Sequence, residues 1–341
     1  MKPVGFALPA DPLRIAGRLP LSRHLSVLGL RVHFASNSAD VVAAVDRSFG
    51  AVADLLPPLS AEAPVAAHVR LWVQEDVKVE SSPLQVEYCW PSRRRFALRA
   101  EGGYGIADID GHEAAAVVTP ALVEKELLFQ SAVLEALTLM LVTHQDRYPV
   151  HAATLVRNQS AVFLVGPSGS GKSTVAFAAL RRGWRLLGEE AAYVQLRPVP
   201  RIWGLPRSIG LPPASIDFFP DLQDRAVRRL PSGKEKVVIP LGPSGREVVG
   251  TVRSGVICLL ERGAAPATLS RVPPDEMLEA LMAGLEPGFD TDPDAARAVA
   301  THLAQPGGWR LCHRDDPYES VRLLGRLGEA GGREMEVEAL F

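Results

Sequence analysis

The chain has 341 residues and sets 37 Lys and Arg against 39 Asp and Glu, a formal net charge of −2 that excludes a strongly basic nucleic-acid binder. With 47% hydrophobic and 22% charged residues it reads as a folding globular chain, neither disordered nor fibrous, and long enough for two domains with separate cores. Cys89, Cys258 and Cys312 show no CxxC or Cys/His ligand spacing, so neither a disulfide framework nor a zinc site is indicated.

At the N-terminus, MKPVGFALPADPLRIAG is broken by Pro9, Asp11, Pro12 and Arg14 before an apolar segment of useful length forms, so no cleavable signal is expected. Short alternating runs follow to about residue 118. HLSVLGLRVHFAS, VAAHVRLWVQ, VEYCW, RRFALRAEGG and YGIADIDG predict strands, and ADVVAAVDRSFGAVADLL an amphipathic helix between them. The order implies an α+β N-terminal domain, residues 1–145. Arg93, Arg94 and Arg95 open one of its strands without an interleaved aromatic platform, which reads as a solvated strand end and not as a nucleic-acid contact.

Thr119 and Pro120 supply an N-cap and a first-turn proline, and the 24 residues ALVEKELLFQSAVLEALTLMLVTH contain no Gly or Pro. One long helix connecting the two domains is predicted there. Its apolar stretch, Leu127 to Val142, is interrupted by Gln130, Ser131 and Glu135 and falls short of the ~20 residues of a membrane span. A cytoplasmic protein is the expectation.

In residues 146–341, VHAATLV and AVFLV read as a hairpin about the RNQS turn, and AVFLV runs directly into GPSGSGKST. STVAFAALRRG predicts a helix closed by Gly183, and WRLLG a strand ending at Glu189 and Glu190. Residues 197–250 read as loops with short strands. SGVICLLERG predicts a buried strand, helices are expected around 274–286 and 293–304, and WRLCHR with PYESVRLLGRLG supplies a last strand and an amphipathic helix.

Gly166, Pro167, Ser168, Gly169, Ser170, Gly171, Lys172 and Ser173 fit G-x-x-x-x-G-K-S/T completely, with Thr174 following and the required strand and helix on either side. Glycines let successive backbone N–H groups turn inward on a polyphosphate, and the helix N-terminus adds partial positive charge. Residues 166–174 are therefore expected to bind a nucleoside triphosphate, with Lys172 reaching the β- and γ-phosphates and the Ser173 hydroxyl placed to ligate Mg²⁺. The reaction must come from acids at strand ends, either Glu189 and Glu190 or Glu261. Arg207 and the Lys234–Lys236 run read either as solvated loop or as charge for a transferring phosphoryl group.

His151-Ala152-Ala153, the loop, Arg182-Gly183-Trp184-Arg185-Leu186 and Glu189-Glu190 together resemble the C-terminal catalytic domain of the HPr kinase/phosphorylase family. Spacing agrees: Lys172 stands 172 − 151 = 21 positions after His151, and Glu189 stands 189 − 172 = 17 after Lys172. The match is close over 148–200 and looser to about 330. It implies an α/β P-loop kinase domain, a mixed sheet with flanking helices, over residues 146–341, and does not cover the smaller α+β domain before it, whose own strand pattern without a catalytic constellation points to partner or substrate recognition. By the same resemblance, Glu189 acts as base toward a serine hydroxyl, His151 stands nearby, and Ser173 and Glu190 serve Mg²⁺. The family's two acids are aspartates, glutamates here, and its later glycine-rich signature has no equivalent in RIWGLPRSIGLPP. Related kinases that phosphorylate a C-terminal serine of lasso-peptide precursors share the likeness.

The sequence thus predicts an ATP- and Mg²⁺-dependent kinase acting on a hydroxyl of a peptide, protein or small molecule, without nucleic acid or membrane span. A nucleotide-binding regulatory or assembly ATPase is the alternative. GTPase character is disfavoured by the absence of N-K-x-D. Hexamers occur in the resembling family, but nothing in this surface pattern requires a homo-oligomer.

Overall fold

A computed structural model describes residues 19–56, 63–74, 86–230, 233–242, 247–263, 266–285, 292–314 and 316–334, with side chains to 327. The stretch examined for a signal lies outside them. The described residues divide into two compact units, one holding those of 1–50 and 59–142, the other those of 51–58 and 143–341. The division is not a single cut, because a short segment after Gly50 belongs with the second unit.

The first unit is a seven-stranded sheet in the order β1-β2-β3-β7-β6-β5-β4. Its strands are β1 Leu21–Val27, β2 Leu30–Ser36, β3 Ala67–Val73, β4 Val86–Ser92, β5 Arg95–Ala100, β6 Gly103–Asp108 and β7 Glu113–Val118. Strand β7, GluAlaAlaAlaValVal, is a strand that the composition does not announce, and it pairs parallel to β3 and antiparallel to β6. Alternation buries Val32 and Phe34, Val69 and Leu71, and Phe96 and Leu98, as a half-covered sheet requires. The helix predicted after β2 forms as α1 Ala39–Val45, a π-helical turn Asp46–Gly50 and α2 Ala51–Ala53; Phe49 stacks on Phe34 at 5.5 Å.

The long helix predicted from Pro120 is divided. Thr119 caps α3 Pro120–Glu124 by accepting the Leu122 N–H, as expected, but Lys125 leaves the helical region at φ −74°, ψ 63°. Helix α4 Glu126–Leu128, a π-helical stretch Phe129–Glu135 and α5 Ala136–Thr143 follow. The extra residue in the π turns accompanies burial of Glu135, whose Oε1 accepts from the Ser48 hydroxyl at 3.3 Å. Among the described residues one run, Glu126–Thr143, is long and apolar enough by length and composition to cross a membrane, and 56% of it is buried inside the fold.

Three histidines form a row across this sheet, His24 opposite His33, His33 opposite His68, and His68 opposite Glu113. His24 and His33 stack with centroids 4.6 Å apart, and the Nδ1 atoms of His33 and His68 share a hydrogen bond of 3.2 Å. Partial burial, then neighbouring charge from His24 for His33 and from Arg70 for His68, lowers both pKa values; Glu113 opposes this at His68. Groups with folded pKa values below 6.5 contribute stability that is present above the unfolded value and lost as pH falls through it toward the folded one. The melting temperature is expected to drop between pH 7.5 and 5.5, and to drop less in His33→Gln. An equal drop in the variant, read by circular dichroism, would assign the acid sensitivity elsewhere.

The second unit is built on a six-stranded mixed sheet in the order β11-β9-β10-β18-β20-β19 with helices on both faces. Its chain runs through β8 Tyr148–Val150, β9 Ala153–Arg157, β10 Ser160–Val165, α6 Lys172–Leu180, β11 Arg185–Gly188, β12 Ala192–Gln195 and β13 Arg201–Gly204. It continues through β14 Ser208–Leu211, β15 Val227–Arg229, β16 Glu235–Pro240, β17 Thr251–Val252, β18 Ser254–Arg262, β19 Thr268–Val272, α7 Pro274–Ala283, α8 Pro293–Ala304, β20 Gly308–His313 and α9 Pro317–Glu334. The predicted hairpin forms from β9 and β10, with Asn158 at φ 50° and Gln159 at φ 66°, the two left-handed residues of a tight turn.

Strand β10 is buried throughout and faces both ways. Val162 and Leu164 pack with Val175, Ala176, Ala179 and Leu324, while Phe163 and Val165 pack with Met277, Leu281 and Val299. Strands β18 and β20 run parallel to β10, and β9 runs antiparallel to both β10 and β11. The ends of β10, β11, β18 and β20 and the entry to β9 therefore share one edge of the sheet, the position where open α/β sheets take ligands. Residues 51–56 join this unit through Leu55 and Leu56, so close to Gly250 that a Cβ there would lie 2.5 Å from Leu56 Cδ2.

Candidate functional site

Strand β10 delivers the chain at Gly166, and the loop that follows turns into α6 through Gly169 at φ +83° and Gly171 at φ +100°, left-handed positions that favour glycine. The geometry at Gly171 is tight as well, since a Cβ would lie 2.8 Å from His313 Cε1. The Lys172 ammonium folds over the loop and donates to the carbonyls of Gly166 and Pro167. Ser170 is buried with its hydroxyl unpartnered. Pro167, Ser168 and Gly169 are exposed at the tip. The loop offers backbone N–H groups, the hydroxyls of Ser168, Ser170 and Ser173 and an ammonium, a donor set without an acid, which suits an anion.

Thr174 is turned inward, its Oγ1 2.7 Å from Ser215 Oγ, and ties α6 to the turn Pro213–Phe218. Two residues that the motif does not contain clasp the loop from neighbouring strand ends. The His313 Nε2–H donates to the Ser170 carbonyl at 2.8 Å, and Arg262 donates through Nε to the Gly169 carbonyl at 3.4 Å and through Nη1 to the Arg314 carbonyl at 2.9 Å. Burial, with the neighbouring Arg262 charge, lowers the His313 pKa against the pull of its hydrogen bond to the Ser170 carbonyl.

Strand β11 ends beside the loop and delivers the acids. Ser173 Oγ donates to Glu189 Oε1 at 3.0 Å, and the Lys236 ammonium donates to Glu189 Oε1 at 3.2 Å and to Glu190 Oε1 at 2.7 Å. The side chains of Glu189 and Lys236 are each 13% exposed, that of Glu190 65%. Burial pushes the Glu189 carboxyl up, with Lys236, the Gly210 N–H and the Ser173 hydroxyl pulling against it. At Glu190 desolvation also works upward, but the Lys236 hydrogen bond and charge, with His151 adding to them, leave its pKa low. His151 is exposed at the end of β8 and within electrostatic reach of Glu190.

Ser173, Glu189, Glu190 and His151 thus converge, with Lys236 between the two carboxylates. The Ser173 hydroxyl, expected to share a metal with Glu190, donates to Glu189 instead. Glu261 points elsewhere, into an ion pair with Arg310 at 2.9 Å. Arg207 occupies the bend before β14, where its carbonyl accepts from the Leu241 N–H. Among the described residues no group of three or more His, Cys, Asp or Glu could hold a metal ion by itself. The three cysteines are free, and burial pushes the Cys258 thiol up to about 12.

No protein-family model matches the chain, and no curated protein does. Among solved structures it is similar to the Hpr(Ser) kinase/phosphatase from Coxiella burnetii at 12% identity, over 54% of this chain and 100% of that one, with a TM-score of 0.28. A likeness of that size carries no weight for fold or function.

Proposed function

We propose that the chain is an ATP- and Mg²⁺-dependent kinase that transfers the γ-phosphate to a hydroxyl of a peptide, protein or small molecule. The carrying observation is the Ser173–Glu189 hydrogen bond of 3.0 Å, which joins the last position of a complete P-loop to a largely buried carboxylate at a strand end. In this reading the loop N–H groups and Lys172 hold the polyphosphate, and Ser173 with Glu190 would hold Mg²⁺ against it. Mg²⁺, when bound, neutralises charge on the β- and γ-phosphates. Glu189 takes the proton of the acceptor hydroxyl as the acceptor oxygen–phosphorus bond forms and the bond to the ADP oxygen breaks. His151 orients the acid pair from its exposed side. Residues of the first unit recognise the acceptor.

The competing reading, a regulatory or assembly ATPase, differs in whether turnover waits for an acceptor. ADP release from Mg·ATP alone is expected to be slow and to rise with a serine-containing peptide library, with labelled phosphate recovered on peptide. Steady hydrolysis that no library member accelerates or captures would favour the ATPase.

A further inference from the structure

Lys236 occupies the place between the carboxylates where a cation has most to gain. Its ammonium bridges Glu189 at 3.2 Å and Glu190 at 2.7 Å, and Ser173 Oγ is 3.0 Å from the same Glu189 oxygen. Strand β16 carries it there. Val237 and Ile239 of that strand face the core, which turns Lys236 to the opposite face, and β14 pairs alongside through Gly210 opposite Val238. A Cβ at Gly210 would lie 2.5 Å from Lys236 Cδ, so the stem lies flat on a strand that has no side chain at that point.

We infer that Lys236 is a built-in counter-ion whose ammonium competes with a divalent metal for the Glu190 carboxylate and, held in place by Glu189, so sets the metal affinity of the site. This rests on the kinase reading only for the identity of the metal. An ammonium and a divalent ion beside the same Glu190 carboxylate repel at a few ångströms, and the Lys236 and Glu189 side chains, each 13% exposed, leave that repulsion only partly screened. Metal binding therefore has to displace the lysine. With Lys236 in place, the site holds its metal weakly until a polyphosphate on the loop adds further oxygens.

The test is Mn²⁺ alone, titrated by electron paramagnetic resonance into the full chain without nucleotide. Lys236→Met is expected to bind at least about tenfold more tightly than wild type, and Lys236→Arg to stay within a few-fold of it. Unchanged or weaker Mn²⁺ binding in a folded Lys236→Met variant overturns the inference. Should Lys236→Met fail to fold, Gly210→Ala decides: its methyl pushes the flexible lysine stem aside while keeping the charge in the chain. Tighter Mn²⁺ binding there supports the competition, and unchanged binding overturns it. ATP binding to wild type, measured separately by calorimetry, reports on the kinase reading, so the two can fail independently.

Discussion

Replacing Lys172 with Ala is expected to lower phosphoryl transfer by about 10²–10³-fold and to weaken Mg·ATP binding while the chain stays folded. The ammonium is the single full positive charge of the loop itself, and it lies over the carbonyls of Gly166 and Pro167 at the foot of the loop. Its partners are backbone oxygens at a half-buried position, so its loss opens no core cavity. Helix α6 is held by other contacts, including Thr174 on Ser215 and the packing of Val175, Ala176 and Ala179 beneath the sheet. Calorimetry with Mg·ATP and a thermal melt read the two halves of the expectation. Unchanged nucleotide affinity in a folded Lys172→Ala variant would remove the loop from the site.

Glu189→Gln is expected to cost about 10²–10⁴-fold in transfer rate with Mg·ATP affinity changed by less than about tenfold. The amide keeps the shape and can still accept the Ser173 hydroxyl through its carbonyl oxygen, but it cannot take a proton from an acceptor. Glu190→Gln should instead raise the Mg²⁺ concentration needed for activity. A magnesium titration of acceptor phosphorylation for both variants separates the roles. A near-wild-type rate in Glu189→Gln would end its candidacy as base, and Glu261 does not replace it, being committed to Arg310.

The parts of the site that local sequence revealed are those made by contiguous residues. The loop is written in Gly166 to Ser173, and the strand before it and helix after it are marked by apolar runs; the structure has both. Glu189 and Glu190 were visible as acids closing a strand. Lys236 stands in a run that reads either as solvated loop or as charge for a phosphoryl group, but its place between the two acids is not local, because it arrives 47 residues after Glu189 on a strand whose pattern, GluLysValValIlePro, shows only that Val237 and Ile239 are buried. His313 and Arg262 likewise reach the loop through the parallel pairing of β18 and β20 with the central strand, which no window of sequence contains. In the first unit, β7 is not legible in the sequence because alanine carries no strand signal, and the strand exists by virtue of the partners on both sides of it. The run after Pro120 lacks helix breakers, yet absence of Gly and Pro does not say where a helix bends, and Lys125 bends it.

The segment from Ala51 to Leu56 has a consequence for how the chain is made. Leu56 lies against Gly250, and 250 − 56 = 194 residues separate them, with the whole return through the first unit in between. At translation rates of about 5–20 residues per second, Leu56 leaves the ribosome on the order of 10–40 seconds before its partner exists. The first unit can close during that interval from strands already synthesised. The second has to hold an early segment in waiting, and a nascent chain stalled before residue 250 should leave Leu56 open to protease, in contrast to the same residue in the released protein.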